Sequence, residues 1–577
     1  MGSSLLTSSP VVKSVKSSCA SAESDSVAIV GAGPGGLGTA MLLAARGIKV
    51  TIYEAAAAIG GRTSRLSFPA GNAPAGSSDR YHFDQGPTFF LMPYVLDEIF
   101  AAGGRRLCDY VKLTRLDPMY RLVMGRSGQP PIIIDCTQNV EAMCRQISDR
   151  INPADGPAFA GFIAENRKKL SAFEPILRKP FASVLDLLDP KLMAALPRLG
   201  AGTSVYGDLS KRFTSEYTKL ITSFQSKYLG MSPMKCPSLF TILPFIEYEY
   251  GVWHPEGGCN ALMAAMAKAC AEMGVDIRCN SPVERLTFTG KTADGVVVGG
   301  KRLAHNHVVI NADASWAIKN LIPPELRTGV PGLPTAIGGG GWTNKRLDGM
   351  GYSCSTFMLY LGLDGQVSMP HHTIYISERY QDNLADISDR GVLSTDPSLY
   401  VCNTAATDST MAPAGHTALY VLVPTPNMRD GKIDWPAATA KLREQALDRV
   451  STLADADVRS MIRSEKVFTP QTWQQQNINF GATFNLAHNL TQMLMLRPQH
   501  ELAGMHNVWM AGGGTHPGSG LPVIFLSCQI AARKILQRMG VAETDCSFAS
   551  TPVALGGSAE RPGFACTRQK TKVAAGV

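Results

Sequence analysis

Residues 27–54, VAIVGAGPGGLGTAMLLAARGIKVTIYE, restrict the possible folds of this chain more than any other stretch. Four apolar residues predict a buried strand, and Gly31, Gly33 and Gly36 form a G-x-G-x-x-G motif that opens a helix. Such glycines permit a tight turn, a close approach of backbone N–H groups to a diphosphate, and close packing of helix on strand. Glu54 follows a second strand, 23 residues after Gly31, where a carboxylate accepts hydrogen bonds from a ribose. The stretch therefore predicts a dinucleotide site with its diphosphate at a helix N-terminus.

The positive charge of the chain is concentrated in one segment. The formal net charge is +8 over 577 residues, and residues 161–235 hold 12 Lys or Arg against 6 Asp or Glu. No run of about 18 consecutive apolar residues occurs, so no membrane-spanning helix is predicted. We expect no nucleic acid among the partners of this protein.

The same segment interleaves large apolar residues with cations. Around Arg178, Lys179, Lys191 and Arg198 it carries apolar side chains from Phe173 to Leu196. An interfacial helix needs this combination, because cations meet lipid phosphates while leucines enter the acyl boundary. Helices of a packed cap would show a similar pattern. The local excess of positive charge favours the membrane surface, and we expect a peripheral membrane protein.

Four further motifs follow the first stretch. Gly60-Gly61-Arg62 stands where a second approach to a dinucleotide is expected, with Arg62 able to pair with the diphosphate. Residues 83–88 read FDQGPT, residues 251–258 read GVWHPEGG, and residues 515–522 read THPGSGLP. With these motifs the chain resembles the flavin-dependent carotenoid desaturases of the bacterial and fungal phytoene desaturase type, within the flavin amine oxidase group. The resemblance extends over nearly all of residues 26–540.

The resemblance implies an α/β (α+β) fold with three parts. A Rossmann-like FAD-binding domain is expected from separated segments at 27–155, 241–345 and 476–540, with a helical membrane-facing cap at 156–240 and an antiparallel-sheet substrate domain at 346–475. Alternation in STFMLYLGL and in three later runs predicts at least four strands, with one solvated and one buried face. Residues 1–26 and 541–577 are predicted to be a disordered leader and tail. A plastid transit segment is the alternative for the serine-rich leader.

The cofactor implied by the resemblance is FAD. The family's second motif is expected along the flavin ring, a hydrophobic residue after the 251–258 turn at the adenine end, and the last glycine turn against the isoalloxazine. The candidate cofactor-binding residues are Gly31, Gly33, Gly36, Glu54, Gly61, Arg62, Gly86, Pro87, Thr88, Val283, Gly514, Thr515, Gly518, Gly520 and Leu521.

No motif for a strong catalytic base is present. Five polar residues are catalytic candidates because the matched motifs bring them near the ring: His254, Glu256, His488, Arg497 and His516. A lone histidine beside a proline, such as His254, is more often a structural hydrogen-bonding group. No metal site is predicted, because the adjacent His371 and His372 are expected on opposite faces of a strand and no acidic or cysteine partner is close in sequence.

The implied reaction is the desaturation of a long apolar polyene. A hydride would pass to FAD and a proton would leave the adjacent carbon of a phytoene-like C40 or diapophytoene-like C30 precursor. Quinone or O2 is the expected electron acceptor. Two alternatives remain at this point: a carotenoid ketolase or terminal oxidase of the same family, and a GDI-like escort protein that binds lipids without redox activity.

Overall fold

The computed structural model describes residues 25–71, 79–181, 184–199, 202–327, 341–502 and 504–542. The predicted leader and tail lie almost wholly outside these ranges. The strands are, in chain order, β1 (Ser26–Val30), β2 (Lys49–Tyr53), β3 (Arg65–Pro69), β4 (Arg80–Asp84), β5 (Leu113–Arg115), β6 (Tyr120–Arg126), β7 (Gln129–Cys136), β8 (Trp253–Pro255), β9 (Asp276–Arg278), β10 (Val283–Thr289), β11 (Thr292–Val298), β12 (Lys301–Ala304), β13 (His307–Ile310), β14 (Ser355–Leu363), β15 (His372–Ile376), β16 (Leu399–Asn403), β17 (Thr417–Thr425), β18 (Ile462–Phe468) and β19 (Val508–Met510).

The helices surround these strands and fill the segment between β7 and β8. They are α1 (Pro34–Ala44), α2 (Pro93–Ala102), α3 (Val140–Arg150), α4 (Asp155–Leu177), α5 (Pro190–Leu199), α6 (Val205–Leu209), α7 (Glu216–Ile221), α8 (Ile242–Tyr250), α9 (Cys259–Glu272), α10 (Ala314–Leu321), α11 (Asn344–Gly349), α12 (Tyr380–Ala385), α13 (Trp435–Ala454), α14 (Val458–Met461), α15 (Pro470–Gln475) and α16 (Leu521–Arg538).

A five-stranded parallel sheet with the order β19-β13-β1-β2-β9 forms the centre of the first domain. Its strands come from all three segments predicted for the FAD-binding domain. The core residues of β1 and β13 are buried, as expected for a parallel sheet covered by helices on both faces. Helix α1 begins directly after Gly33, with Pro34 at its first position, where the missing N–H costs nothing. The predicted Rossmann-like domain built from separated segments is confirmed.

A seven-stranded mixed sheet with the order β18-β14-β17-β16-β15-β6-β7 forms the second domain. The strand at Ser355–Leu363 has the predicted bounds and is buried at every position. The expectation of one solvated face is therefore wrong. Alternate residues of β14, such as Leu359, belong to one buried cluster with Leu442 and Leu447 of α13. Tyr360 on the other face packs with Phe83. Strands β6 and β7 belong to this sheet, although the predicted boundary placed them with the FAD-binding domain.

The helical segment at 156–240 buries most of its large apolar residues. Phe173, Ile176, Phe181 and Leu192, expected on an interfacial face, belong to the main hydrophobic core. Exposed large apolar side chains of this segment are Leu185, Leu188 and Met193, at 74%, 67% and 51% exposure. Within the described ranges, no helix combines the length and apolar character that crossing a bilayer requires.

Candidate active site

A cavity of 880 Å³ has walls from both domains. Residues at the carboxyl ends of β1, β2 and β13, including Gly31 and Asn311, form one part of its wall. Side chains of β14, β16 and β17, including Met358, Tyr400 and Leu422, form another. In open α/β sheets, ligands bind outside the carboxyl ends of the strands. The cavity therefore joins the position of a dinucleotide to an apolar chamber.

Glycines make the first part of the wall, and their neighbours exclude any side chain. Gly31 has a φ of 100°, and a Cβ there would lie 2.8 Å from the Asn311 carbonyl oxygen. A Cβ on Gly86 would lie 2.6 Å from the Arg62 carbonyl oxygen. Both contacts are shorter than real Cβ atoms make, so the backbone itself forms the surface offered to a ligand.

Glu54 fixes the glycine turn from within the cavity wall. Its Oε2 accepts a hydrogen bond from the Ala32 N–H at 2.7 Å, and its Oε1 accepts one from the Ala56 N–H at 2.8 Å. A carboxylate has about four acceptor positions, so two remain for the hydroxyl groups of a ribose.

Arg62 is a cation held against the cavity. Its Nη1 donates to the Thr483 carbonyl oxygen at 2.9 Å. Burial lowers the pKa of Arg62 and the nearby Asp313 carboxylate opposes that shift, while burial raises the pKa of Asp313 and Arg62 opposes it. Both groups line the cavity, and the guanidinium suits a ligand that brings further negative charge.

FAD fits this wall. The bare backbone at Gly31 and Gly33 and the Arg62 guanidinium suit a diphosphate, and the free acceptor positions of Glu54 suit a ribose. The predicted cofactor-binding residues that line the cavity are Gly31, Gly33, Glu54, Gly61, Arg62, Gly86, Pro87, Thr88, Val283, Gly520 and Leu521. Gly36, Gly514, Thr515 and Gly518 are absent from the cavity wall, and a contact between them and the cofactor stays a prediction.

Gly36 and Gly518 are glycines because the atoms around them leave no room for a side chain. Gly36 allows α1 to pack on the preceding turn, and a Cβ on Gly518 would lie 2.3 Å from Nε2 of His488. A Cβ on Gly514 would lie 2.5 Å from the Cβ of Ala314. These glycines shape the layer behind the cavity wall.

Two of the catalytic candidates lie away from the cavity wall. His254 is buried and its Nε2 is 2.8 Å from Oδ2 of Asp408. Glu256 is exposed and forms an ion pair with Lys112, with 2.6 Å between Oε2 and Nζ. The structure thus gives His254 the partner of a structural histidine and gives Glu256 a place at the surface.

The other three candidates support the last glycine turn from behind. His488 Nε2 accepts a hydrogen bond from the Ser519 N–H at 3.2 Å, and burial lowers the pKa of its imidazole well below the usual value. Arg497 is fully buried and donates to the Gly513 carbonyl oxygen at 2.8 Å. His516 is 3.0 Å from the Lys179 carbonyl oxygen. These three side chains hold backbone groups in position. A catalytic role for any of the five candidates stays a prediction.

No sequence motif indicated several side chains that line the cavity away from the glycine turns. Phe89, Lys227, Tyr228 and Tyr400 all line the cavity. Burial lowers the pKa of the Lys227 amine and raises the pKa of the phenols of Tyr228 and Tyr400 well above the usual value. They come from three separate parts of the chain and match no spacing motif. Their surroundings in the sequence give no common signal, because Phe89 lies in an aromatic run whereas Lys227 and Tyr228 follow the mostly polar residues 222–226, TSFQS.

His371 and His372 do not lie on opposite faces. His371 precedes β15, which begins at His372, and the two rings are 4.4 Å apart at their centroids. Cys402 stands directly opposite His372 in the register of β15 and β16. One ligand atom from each of the three residues lies within 4.8 Å of the others, a grouping that could hold a metal ion. The expectation that the two histidines lie on opposite faces is therefore wrong, and the fold brings a cysteine that is distant in sequence beside them.

Comparison with known proteins identifies the class that this fold and site define. The pattern of the family "Flavin containing amine oxidoreductase" matches residues 34–536. A 4,4'-diapophytoene desaturase (4,4'-diapolycopene-forming) from Methylomonas sp is 41% identical over 515 residues, which cover 89% of this chain and 95% of that protein. An all-trans-zeta-carotene desaturase from Myxococcus xanthus is 37% identical, over 89% and 94% of the two chains. The phytoene desaturase from Neurospora crassa is 30% identical, over 89% and 84%.

The chain belongs to the flavin-containing amine oxidoreductase family and, within it, to the carotenoid desaturases. It is an FAD-dependent oxidoreductase. Solved structures show the same fold at low identity. Cyclohexylamine oxidase from Brevibacterium oxydans matches with a TM-score of 0.55 at 16% identity, over 90% of this chain and 100% of that one. An oxidoreductase from Methanosarcina mazei matches with a TM-score of 0.56 at 13% identity, over 89% and 100%.

Proposed function

We propose that this protein introduces double bonds into a long polyisoprenoid, a C30 precursor like diapophytoene or a C40 precursor like phytoene. The observation that carries the proposal is the similarity to a diapophytoene desaturase. The two chains are 41% identical over 515 residues, which cover 95% of that relative. The cavity supports it, because one wall suits FAD while the other is mainly aromatic and aliphatic. A hydrocarbon chain without polar groups can be positioned only by such shape and apolar contact.

The chemistry is divided between cofactor and protein. FAD supplies the hydride acceptor. The glycine turns, Glu54 and Arg62 would hold it in place, and aromatic residues such as Phe89 and Tyr228 would exclude water and align the polyene. Burial of the substrate in a dry chamber also prevents water from adding to the reacting carbons.

Product analysis tests the proposal. Purified protein loaded with FAD is incubated in liposomes with either precursor, and the products are analysed by mass. Loss of two hydrogens per step is the expected result with at least one of the two. Gain of oxygen would instead support a ketolase or terminal oxidase, and protein that binds no flavin would support a lipid-binding escort. Comparing the two precursors also determines the preferred chain length.

The proposed substrate is insoluble in water, so the protein has to meet a membrane. We assign that contact to the apolar patch formed by Leu185, Leu188 and Met193 beside Lys191. Exposed leucines of this kind are unusual on a soluble surface and suit the acyl boundary of a bilayer. A peripheral location would also give reduced flavin access to membrane quinone, with O2 as the alternative electron acceptor.

A further inference from the structure

Glu247 in α8 is a completely buried carboxylate whose hydrogen-bond partners are all uncharged. Its Oε2 accepts from the Tyr120 hydroxyl at 2.7 Å and from Nε2 of Gln225 at 3.1 Å. Its Oε1 accepts from the Tyr228 hydroxyl at 2.7 Å. Among the described residues, no cation contributes to the pKa of this group.

A buried carboxylate without a cation is costly, and a neutral glutamine could occupy the same volume at lower cost. Buried acids with perturbed pKa values are common at functional sites for this reason. The position of Glu247 therefore indicates a task that needs a group able to accept a proton.

Tyr228 connects this carboxylate to the cavity. Its ring is part of the cavity wall, whereas Glu247 lies behind it and has no contact with the chamber. The Tyr228 ring also packs against Phe89, with centroids 5.4 Å apart, and Phe89 directly follows Thr88 in the 83–88 motif. A ligand in the aromatic chamber thus meets Tyr228, whose hydroxyl is hydrogen-bonded to the carboxylate behind it.

We propose that Tyr228 and Glu247 together accept the proton released in desaturation. This inference rests on the proposed function. A hydride and its electron pair leave one substrate carbon for FAD, the oxidant. The proton on the adjacent carbon passes to the Tyr228 oxygen while the hydroxyl proton of Tyr228 moves to Oε1 of Glu247. The electron pair of the broken C–H bond becomes the new double bond, Tyr228 ends neutral, and Glu247 ends protonated.

The acidity of Glu247 suits this role. Burial raises its pKa to about 7, and the hydrogen bonds from Tyr228, Tyr120 and Gln225 oppose that shift. A base works best with a pKa near the operating pH. The other titratable groups that interact with Glu247 are Tyr120, Cys136, Tyr228 and Tyr248, and burial raises the pKa of each of them. They stay protonated near neutral pH, so a pH dependence near 7 would belong to the carboxyl group.

Tyr400 begins a second hydrogen-bonded path from the cavity wall to a buried titratable group. Its hydroxyl is 2.6 Å from Oγ1 of Thr88 and 2.7 Å from Nδ1 of His372. A proton accepted there would create a buried imidazolium beside two other histidines, His371 and His254, and burial already holds the pKa of His372 well below its usual value. At Glu247 the same proton neutralises a buried charge. The geometry and the charge balance therefore favour Glu247.

The decisive experiment measures flavin reduction by substrate without oxygen, in liposomes, across pH 5–9. Glu247→Gln and Tyr228→Phe should each slow the reduction by about a hundredfold, the lower end of general base catalysis. In Glu247→Gln, the rise of the wild-type rate with pH near 7 should disappear. Tyr120→Phe is the matched control that removes a donor but keeps the carboxyl. Its rate should still rise with pH, at a higher pH than in the wild type, because one opposing hydrogen bond is lost.

Infrared spectroscopy gives a readout that needs no substrate. Protonated Glu247 should contribute a carbonyl band that titrates with a midpoint of about 7 and is missing in Glu247→Gln. This measurement decides the question if a variant loses FAD or folds poorly.

Three results would overturn the inference: a band that titrates near the pKa of an ordinary glutamate, a wild-type rate in Glu247→Gln, or a pH dependence lost only in Lys227→Met or His372→Asn. Wild-type protein that forms no desaturated product would instead overturn the proposed function.

Discussion

Arg62 and Asp313 are joined through the Asn485 amide at the wall of the cavity. In the amide orientation that satisfies both neighbours, the Asn485 nitrogen donates to Oδ2 of Asp313 at 2.6 Å and its oxygen accepts from Nη2 of Arg62 at 3.0 Å. Asp313 also caps α10, accepting from the Trp316 N–H at 3.0 Å. The cation at the cofactor wall is thereby fixed to the helix that follows β13.

Replacement of Arg62 by glutamine should weaken FAD binding. The substitution removes a charge facing the diphosphate and leaves the Asp313 carboxylate buried without its cation. Charge-assisted hydrogen bonds contribute about 1.5–3 kcal/mol, so the Kd for FAD should rise by about 10- to 100-fold. Titration of flavin fluorescence on apoprotein measures this. Lys301→Gln, at an exposed position of β12, is the control, and an equal loss in both variants would contradict a local role for Arg62.

A methyl group at Gly36 should disrupt the glycine turn. Its Cβ would overlap the Gly31 carbonyl oxygen, so Gly36→Ala should cost about 3 kcal/mol of unfolding free energy and reduce FAD binding. Gly161→Ala in α4 makes the same chemical change at a site with open space around it. That control should gain about 0.5–1 kcal/mol from helix propensity. Thermal unfolding of both variants measures the two changes in stability. Similar melting temperatures would exclude the predicted clash.

The cofactor end of the site was predictable from sequence because local geometry dictates it. A turn that offers backbone to a diphosphate requires glycine at fixed spacing, so Gly31 and Gly33 can be recognised in the chain itself. The aromatic end was not predictable. Tyr228 and Glu247 lie on different elements, and the fold alone brings them together. Similarly, the sheet was expected to have a solvated face because nothing in the alternation of β14 shows that α13 covers it.

Arg178 was expected at the membrane, but the structure pairs it with a buried carboxylate. Its guanidinium donates to both carboxylate oxygens of Glu98, at 2.9 and 3.0 Å, and Glu98 is buried. Arg178→Gln would leave that charge without its partner, so we expect a loss of about 3 kcal/mol in unfolding free energy. Lys179→Gln removes a half-exposed pair with Asp189 and should cost under about 1 kcal/mol. Denaturant unfolding distinguishes the two, and equal stability losses would argue against this ranking.

The apolar patch of Leu185, Leu188 and Met193 should bind liposomes. Serine at all three positions should lower the partition coefficient at least tenfold, because each buried leucine contributes about 1.5–3 kcal/mol. Val392→Ser, at another exposed apolar residue (45% exposure), should leave sedimentation with liposomes unchanged. Lys191→Gln should weaken binding to anionic liposomes only, and less so at high salt. If the serine variant sediments like wild type, the membrane is contacted elsewhere.

Glu247 should also make the stability of the protein depend on pH. Its pKa is raised by burial to about 7 in the folded state, above the usual 4.5, so folding favours the protonated form. The wild type should therefore lose stability as the pH rises from about 4.5 through 7, by about 3 kcal/mol at most, because ionisation then favours unfolding. Glu247→Gln cannot ionise and should lack this loss, so the difference in unfolding free energy between the two proteins should grow in favour of the variant up to about pH 8. Urea unfolding at pH 5 and pH 8 measures that difference, with Glu256→Gln as the matched surface control. A constant difference would mean that the carboxylate is stabilised as an anion, which would also remove the basis for its role as a proton acceptor.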